Sequence, residues 1–169
     1  MSPAIISQWI QESGLATAVR ESSYAYPIIM STHLACIAVF GGMILMTDLR
    51  LMGLAMTDVP VATMIRELRP WKWFGFILMV TCGFLLAISR MTTYFPNPYF
   101  QAKLTLLILV GVHALIFRPL VYNNPEKIDS APQLPGVAKL AGALSLIIWV
   151  TIPIMGRLIA YWDAPGSPF

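Results

Sequence analysis

The stretch Tyr24–Thr47, YAYPIIMSTHLACIAVFGGMILMT, decides the fold. No Asp, Glu, Lys or Arg interrupts it, and its apolar residues run on without the period-two alternation of a barrel strand. At about 1.5 Å of rise per residue it is long enough, as a helix, to cross roughly 30 Å of hydrocarbon. Three later segments have the same character: Trp71–Arg90, Lys103–Phe117 and Val137–Tyr161. The third is the shortest, bounded by Pro98 on one side and Arg118-Pro119 on the other. The composition agrees: with 57% hydrophobic and 11% charged residues the chain is more apolar than a soluble domain of its size could use. The expectation is an all-α integral membrane protein. It is a single domain, residues 1–169, forming an up-down bundle of four transmembrane helices.

The opening residues read differently. Gln8, Gln11, Glu12 and Ser13 break any apolar core and no basic start precedes them, so this segment does not resemble a cleaved signal peptide. Ile5, Ile6, Trp9, Ile10 and Leu15 suggest instead an amphipathic helix over about residues 3–20, lying in the membrane interface as an anchor. Tyr24, Tyr26, Trp71, Trp73, Tyr94, Tyr99, Tyr161 and Trp162 fall near the ends of the spans, where amphipathic rings favour the headgroup region. Basic residues divide unequally. Arg50, Arg66, Arg69, Lys72, Arg118, Lys127 and Lys139 belong to the connections after the first and third spans, against Arg20, Arg90, Lys103 and Arg157 on the other side. The positive-inside rule then places both termini outside the cytoplasm.

His33 and His113 are the only histidines, and each lies inside a span. An imidazole in hydrocarbon is costly unless a neighbour, a metal or a water-filled cavity satisfies it. Counted from Tyr24 and Lys103 the two sit nine and ten residues deep, on helices that enter from the same side and are diagonal in an up-down bundle. Two imidazoles at one level can take both axial positions of a haem b. Gly41 and Gly111 would let the macrocycle approach the helix backbones, while Arg90, Lys103 and Arg157 would meet its propionates. Each element has an ordinary reading as well: helix packing for the glycines, snorkelling for the cations, a hydrogen-bonded packing residue or proton path for each histidine. One-histidine ligation, or no cofactor, remains open.

Other chemistry is thinly represented. Met30 and Cys36 flank His33 at helical spacing, a weak pattern for copper or zinc, and Cys36 and Cys82 form neither CxxC nor CxxCH, so any haem would be non-covalent. No phosphate loop, catalytic triad or paired carboxylates fall at one depth, and nothing predicts a nucleic-acid partner. Asp48 reads as a rim residue bracing the bundle through Arg50 or Arg66.

Several motifs together resemble a bacterial family of four-helix inner-membrane proteins catalogued as a domain of unknown function. They are Ser23-Tyr24-Ala25-Tyr26-Pro27, Thr32-His33, Asp48-Leu49-Arg50-Leu51-Met52-Gly53, Arg69-Pro70-Trp71, Asn97-Pro98-Tyr99-Phe100-Gln101-Ala102-Lys103 and Ala114-Leu115-Ile116-Phe117. The resemblance spans nearly the whole chain. It implies a four-helix fold and an inner-membrane address, but no activity. His33 matches a histidine of that family's pattern; the position of His113 is often asparagine there, with a histidine near that of Arg118 instead. The architecture is also similar to that of small membrane b-type cytochromes, without the four histidines two haems would need.

The leading expectation is therefore a membrane haem b protein held by His33 and His113, acting in electron transfer or redox sensing with a redox partner or quinone. The alternative is a cofactor-free accessory or self-assembling membrane subunit; a homo-oligomer suits either. A transporter or proton path is the third and weakest reading, since no carboxylate joins the histidines at mid-membrane.

Overall fold

A computed structural model describes residues 2–162. Two short helices, α1 (Pro3–Gln11) and α2 (Gly14–Glu21), precede the first long one. The expected single amphipathic helix is broken at Glu12-Ser13, where the Ser13 hydroxyl caps α2 by accepting from Ala16 N. Both pieces lie against the bundle: Ser7, Ala16 and Val19 are buried, whereas Trp9 stays 73% exposed.

The long helices are α3 (Ala25–Met52), α4 (Val61–Ser89), α6 (Pro98–Phe117) and α8 (Gly136–Leu158), with the short α5 (Met91–Tyr94) and α7 (Glu126–Asp129) in the connections. A π-helical turn, Arg118–Tyr122, prolongs α6, and a 3₁₀ turn, Ile159–Tyr161, closes α8. All four are long and apolar enough to cross a membrane. The described residues contain no strand.

The helices overrun the expected spans for identifiable reasons. Asp129 in α7 explains the early start of α4. Its Oδ1 and Oδ2 accept from Val61 N and Ala62 N, both at 2.8 Å, so a carboxylate distant in sequence satisfies the orphan donors of α4 and meets the positive end of its dipole. Pro70 is then carried inside α4. Asn97 starts α6 by accepting from Tyr99 N at 2.9 Å, and its own amide donates to Ile159 O at 3.1 Å, tying α6 to the end of α8. Pro119, which lacks an N–H, falls in the π turn, so the chain changes its hydrogen-bond register there instead of stopping at Phe117. Gly53 ends α3 at φ 75°, with Gly53 N donating to Arg50 O and Leu54 N to Leu49 O.

In cross-section α3 packs along both α4 and α8, α6 packs along α8, and α4 and α6 barely touch. Side chains of Leu51, Val61, Phe117, Val121, Ile128, Ala138 and Ala141 make a close core at the end carrying the 53–60 and 123–135 connections. α8 faces α3 there with small residues. A Cβ on Gly142 would stand 2.7 Å from the backbone oxygen of Asp48, so only glycine permits this crossing.

Candidate functional site

The opposite half of the bundle is hollow. A cavity of about 620 Å³ lies among α3, α4, α6 and α8 and is closed at one end by α1 and α5. Phe40, Met79, Phe84, Leu107 and Trp149 give it an apolar wall, with Trp149 edge-on to Phe40 at 5.0 Å between ring centroids. Polar groups on its wall come from His33, Lys103 and Ser7. Val80, Phe84, Leu104 and Val150 line the cavity yet remain exposed on the outside of the bundle, so it opens sideways where α4 and α6 part.

His33 is 9% exposed, and its Nδ1 lies 2.9 Å from Met79 O. A carbonyl oxygen can only accept, so in the neutral ring Nδ1 carries the proton and Nε2 keeps a lone pair. That Nε2 has no partner among the described residues. The ring rests on Gly83, where a Cβ would come within 2.9 Å of Cε1. A backbone acceptor and a bare glycine together fix its orientation. Such a hydrogen bond is how a ligating imidazole is usually held with its other nitrogen free.

Of the residues singled out from sequence, the structure brings His33, Gly41 and Lys103 to this cavity and leaves His113, Gly111, Arg90 and Arg157 outside it. His113 Nε2 donates to Ala141 O at 3.0 Å, and its ring packs on Phe117. The equal-depth argument fails because α6 begins at Pro98, not Lys103. His33 stands eight residues, about 12 Å, past the start of α3, whereas His113 stands fifteen residues, about 22 Å, past the start of α6. Each histidine also turns toward a neighbouring helix, α4 or α8, and not toward the other. Gly111 faces outward with open space beside it.

Arg90 and Arg157 are surface cations engaged by tyrosines. The Arg90 guanidinium lies over the Tyr26 ring, and Arg157 donates to Tyr161 Oη at 2.6 Å while covering the same ring. Beside Arg90, burial and the neighbouring Tyr26 phenol push Tyr94 up to about 12 against the opposing effect of the arginine, so Tyr94 stays a neutral hydroxyl. Lys103 differs from the arginines. Its Nζ lies over Gly156, 3.5 Å from where a Cβ would stand, and it makes no ion pair among the described residues.

Residues missed from sequence include α1 as a wall, through Ile6, Ser7 and Ile10, and the Gln11 side chain that fastens it. Gln11 Oε1 accepts from Thr92 N at 3.0 Å and Thr92 Oγ1 at 2.8 Å. The expected brace from Asp48 to Arg50 or Arg66 is not formed. Arg50 Nε instead donates to Val59 O at 2.5 Å. Among the described residues, no group of three or more His, Cys, Asp or Glu could hold a metal ion.

Four long apolar helices, each able to cross a membrane, make this a multi-pass membrane protein of the helix-bundle class. The chain belongs to the family of unknown function DUF6644, whose model matches residues 8–162. No curated protein and no solved structure matches it.

Proposed function

We propose that this chain is a membrane haem b protein that uses the His33 cavity, with His33 Nε2 the atom that would hold the haem and electron transfer or redox sensing as its role. The observation that carries the reading is the contact of His33 Nδ1 with Met79 O: it holds a buried imidazole at an apolar cavity and leaves the other ring nitrogen free. The cavity volume falls within the range of sites for organic cofactors. Lys103 supplies a cation for a propionate. A bound haem would supply the one-electron couple; the protein's part is to hold the imidazole, exclude water with Phe40, Phe84 and Trp149, and neutralise a carboxylate. His113 lies outside this cavity, so His33 is the protein nitrogen that would hold the group. The basic residues of the 53–60 and 123–135 end favour a bacterial inner-membrane orientation with both termini periplasmic.

A second reading rests on the sideways opening between α4 and α6. A membrane-borne quinone could enter there with its head toward Lys103 and its tail left in lipid.

An optical spectrum of the detergent-solubilised protein, oxidised and reduced, separates the two. The haem reading expects a b-type reduced spectrum, lost in His33→Ala and retained in His113→Ala. Full haem retention in His33→Ala sinks it. A colourless protein whose organic extract contains quinone, with the quinone lost in Lys103→Met, establishes the second.

A further inference from the structure

Asp48 lies outside the His33 cavity, in the close-packed half of the bundle, and is 2% exposed. Its Oδ2 is buried without a hydrogen-bond partner among the described residues. Several groups surround it. Lys72 on α4, Ser145 on α8 and Tyr122 in the π turn are its polar neighbours. Thr47 is its neighbour on α3, while Arg50 is turned away to Val59.

A purely structural brace would close the Asp48–Lys72 pair. It is open instead: the pair is not among the ion pairs within 4.0 Å, and Lys72 Nζ donates to Thr47 Oγ1 at 2.5 Å. An unpartnered carboxylate oxygen inside a membrane bundle costs several kcal/mol in general, and its commonest justification is a role in binding or moving an ion. A metal cation would meet an ammonium already in place. A proton adds no new centre, needs no extra space and turns Oδ2 into a hydroxyl.

We propose that Asp48 is a proton-binding site within the bundle, loaded through Lys72. In the loading step the Lys72 ammonium turns from Thr47 Oγ1 to Asp48 Oδ2, an Nζ–H bond of Lys72 breaks and an O–H bond forms at Oδ2. The electron pair of the broken bond stays on Nζ, which takes a replacement proton from water at the end of the bundle carrying the 53–60 connection. Lys72 is half-buried, so it can serve both sides. The site shares no residue with the haem reading, and the two stand or fall separately.

The test is infrared difference spectroscopy of the whole protein in lipid nanodiscs, stepped between acid and alkaline pH, with aspartate labelled by ¹³C at the side-chain carboxyl. A protonated-carboxyl C=O band that grows on acidification is expected. It should vanish in Asp48→Asn, shift in frequency in Ser145→Ala, and load more slowly after a pH jump in Lys72→Gln. Asp48→Asn is nearly isosteric; if it does not fold, the Ser145→Ala shift of the labelled band carries the same assignment. A band unchanged in all three variants overturns the proposal. So does a carboxyl response that follows sodium or potassium concentration at fixed pH, which would make this a metal-cation site.

Discussion

The two halves of this bundle are built from the same four helices and differ in what α8 presents. Toward the 53–60 and 123–135 connections it offers Ala138, Ala141, Gly142 and Ser145, all buried, and α3 closes on it until the Asp48 backbone allows no Cβ. Toward the other end it offers Leu146, Trp149, Ile152 and Pro153, and the helices stand around a cavity. Small residues bring helix backbones together in a membrane, where lipid gives no hydrophobic push; large rings and a proline hold them apart. The difference is one of packing: one half is closed by small residues, and the other encloses a cavity.

The strongest way to break this comparison is to overfill the tight half. Gly142→Leu forces a side chain into the backbone of Asp48 and against Leu51 and Met52, contacts already at 2.7 to 3.2 Å for a Cβ alone. Overpacking of this kind costs about 3 kcal/mol or more, and thermal unfolding in detergent should show a large fall in Tm. Gly42→Leu is the control. No atom lies within 4 Å of the added Cβ, so its Tm should stay near that of the parent. Equal losses in the two variants would erase the distinction between the halves.

Asp129→Ala comes next. It removes two charge-assisted acceptors at 2.8 Å from the start of α4, for an expected cost of about 1 to 2 kcal/mol. Asp129→Asn should recover part of this, since one amide oxygen can still accept. Hydrogen exchange should locate the loss at residues 61–64.

Gly83→Ala examines the hollow half. The new methyl meets the His33 ring at 2.9 Å, and the ring can yield into the cavity, so stability should change by less than about 1 kcal/mol. Ligand retention should fall at least tenfold, because the imidazole loses the orientation that Met79 and Gly83 impose. A variant as stable as the parent with undiminished ligand would separate His33 from the cavity's purpose.

How much of this was legible beforehand depends on range. The four spans follow from composition, because hydropathy reports on each segment alone. Their ends do not. The start of α4 depends on Asp129, and a cap supplied from 68 residues away leaves no local signature. His33 is conspicuous as a rare polar residue in an apolar run, but its level relative to His113 depends on where α6 begins: a start at Pro98 and not Lys103 shifts His113 by five residues, about 7 Å. Asp48 was placed at the rim because charge suggests water. Gly142 and Ser145, on a helix nearly a hundred residues later, are what bury it. Helix content is local information, whereas depth, facing and partnership are not.

The smallest expected effect concerns the closure of the hollow half. Gln11→Ala removes the acceptor that holds Thr92 by two hydrogen bonds and so unfastens α1 from α5. These bonds are exposed, and their net contribution is about 1 kcal/mol or less, so global Tm should scarcely move. What should change is the exchange of amides in residues 4–11 and 92–95, which should lose protection while α3 and α8 keep theirs. Ser7, Ile6 and Ile10 then leave the cavity wall for part of the time, and uptake of a ligand from detergent should quicken. The same substitution should leave the Gly142 crossing untouched, because nothing in α1 reaches it. If α3 and α8 lost protection as well, the two halves would be one cooperative unit, and the hollow half could not open without the tight half giving way.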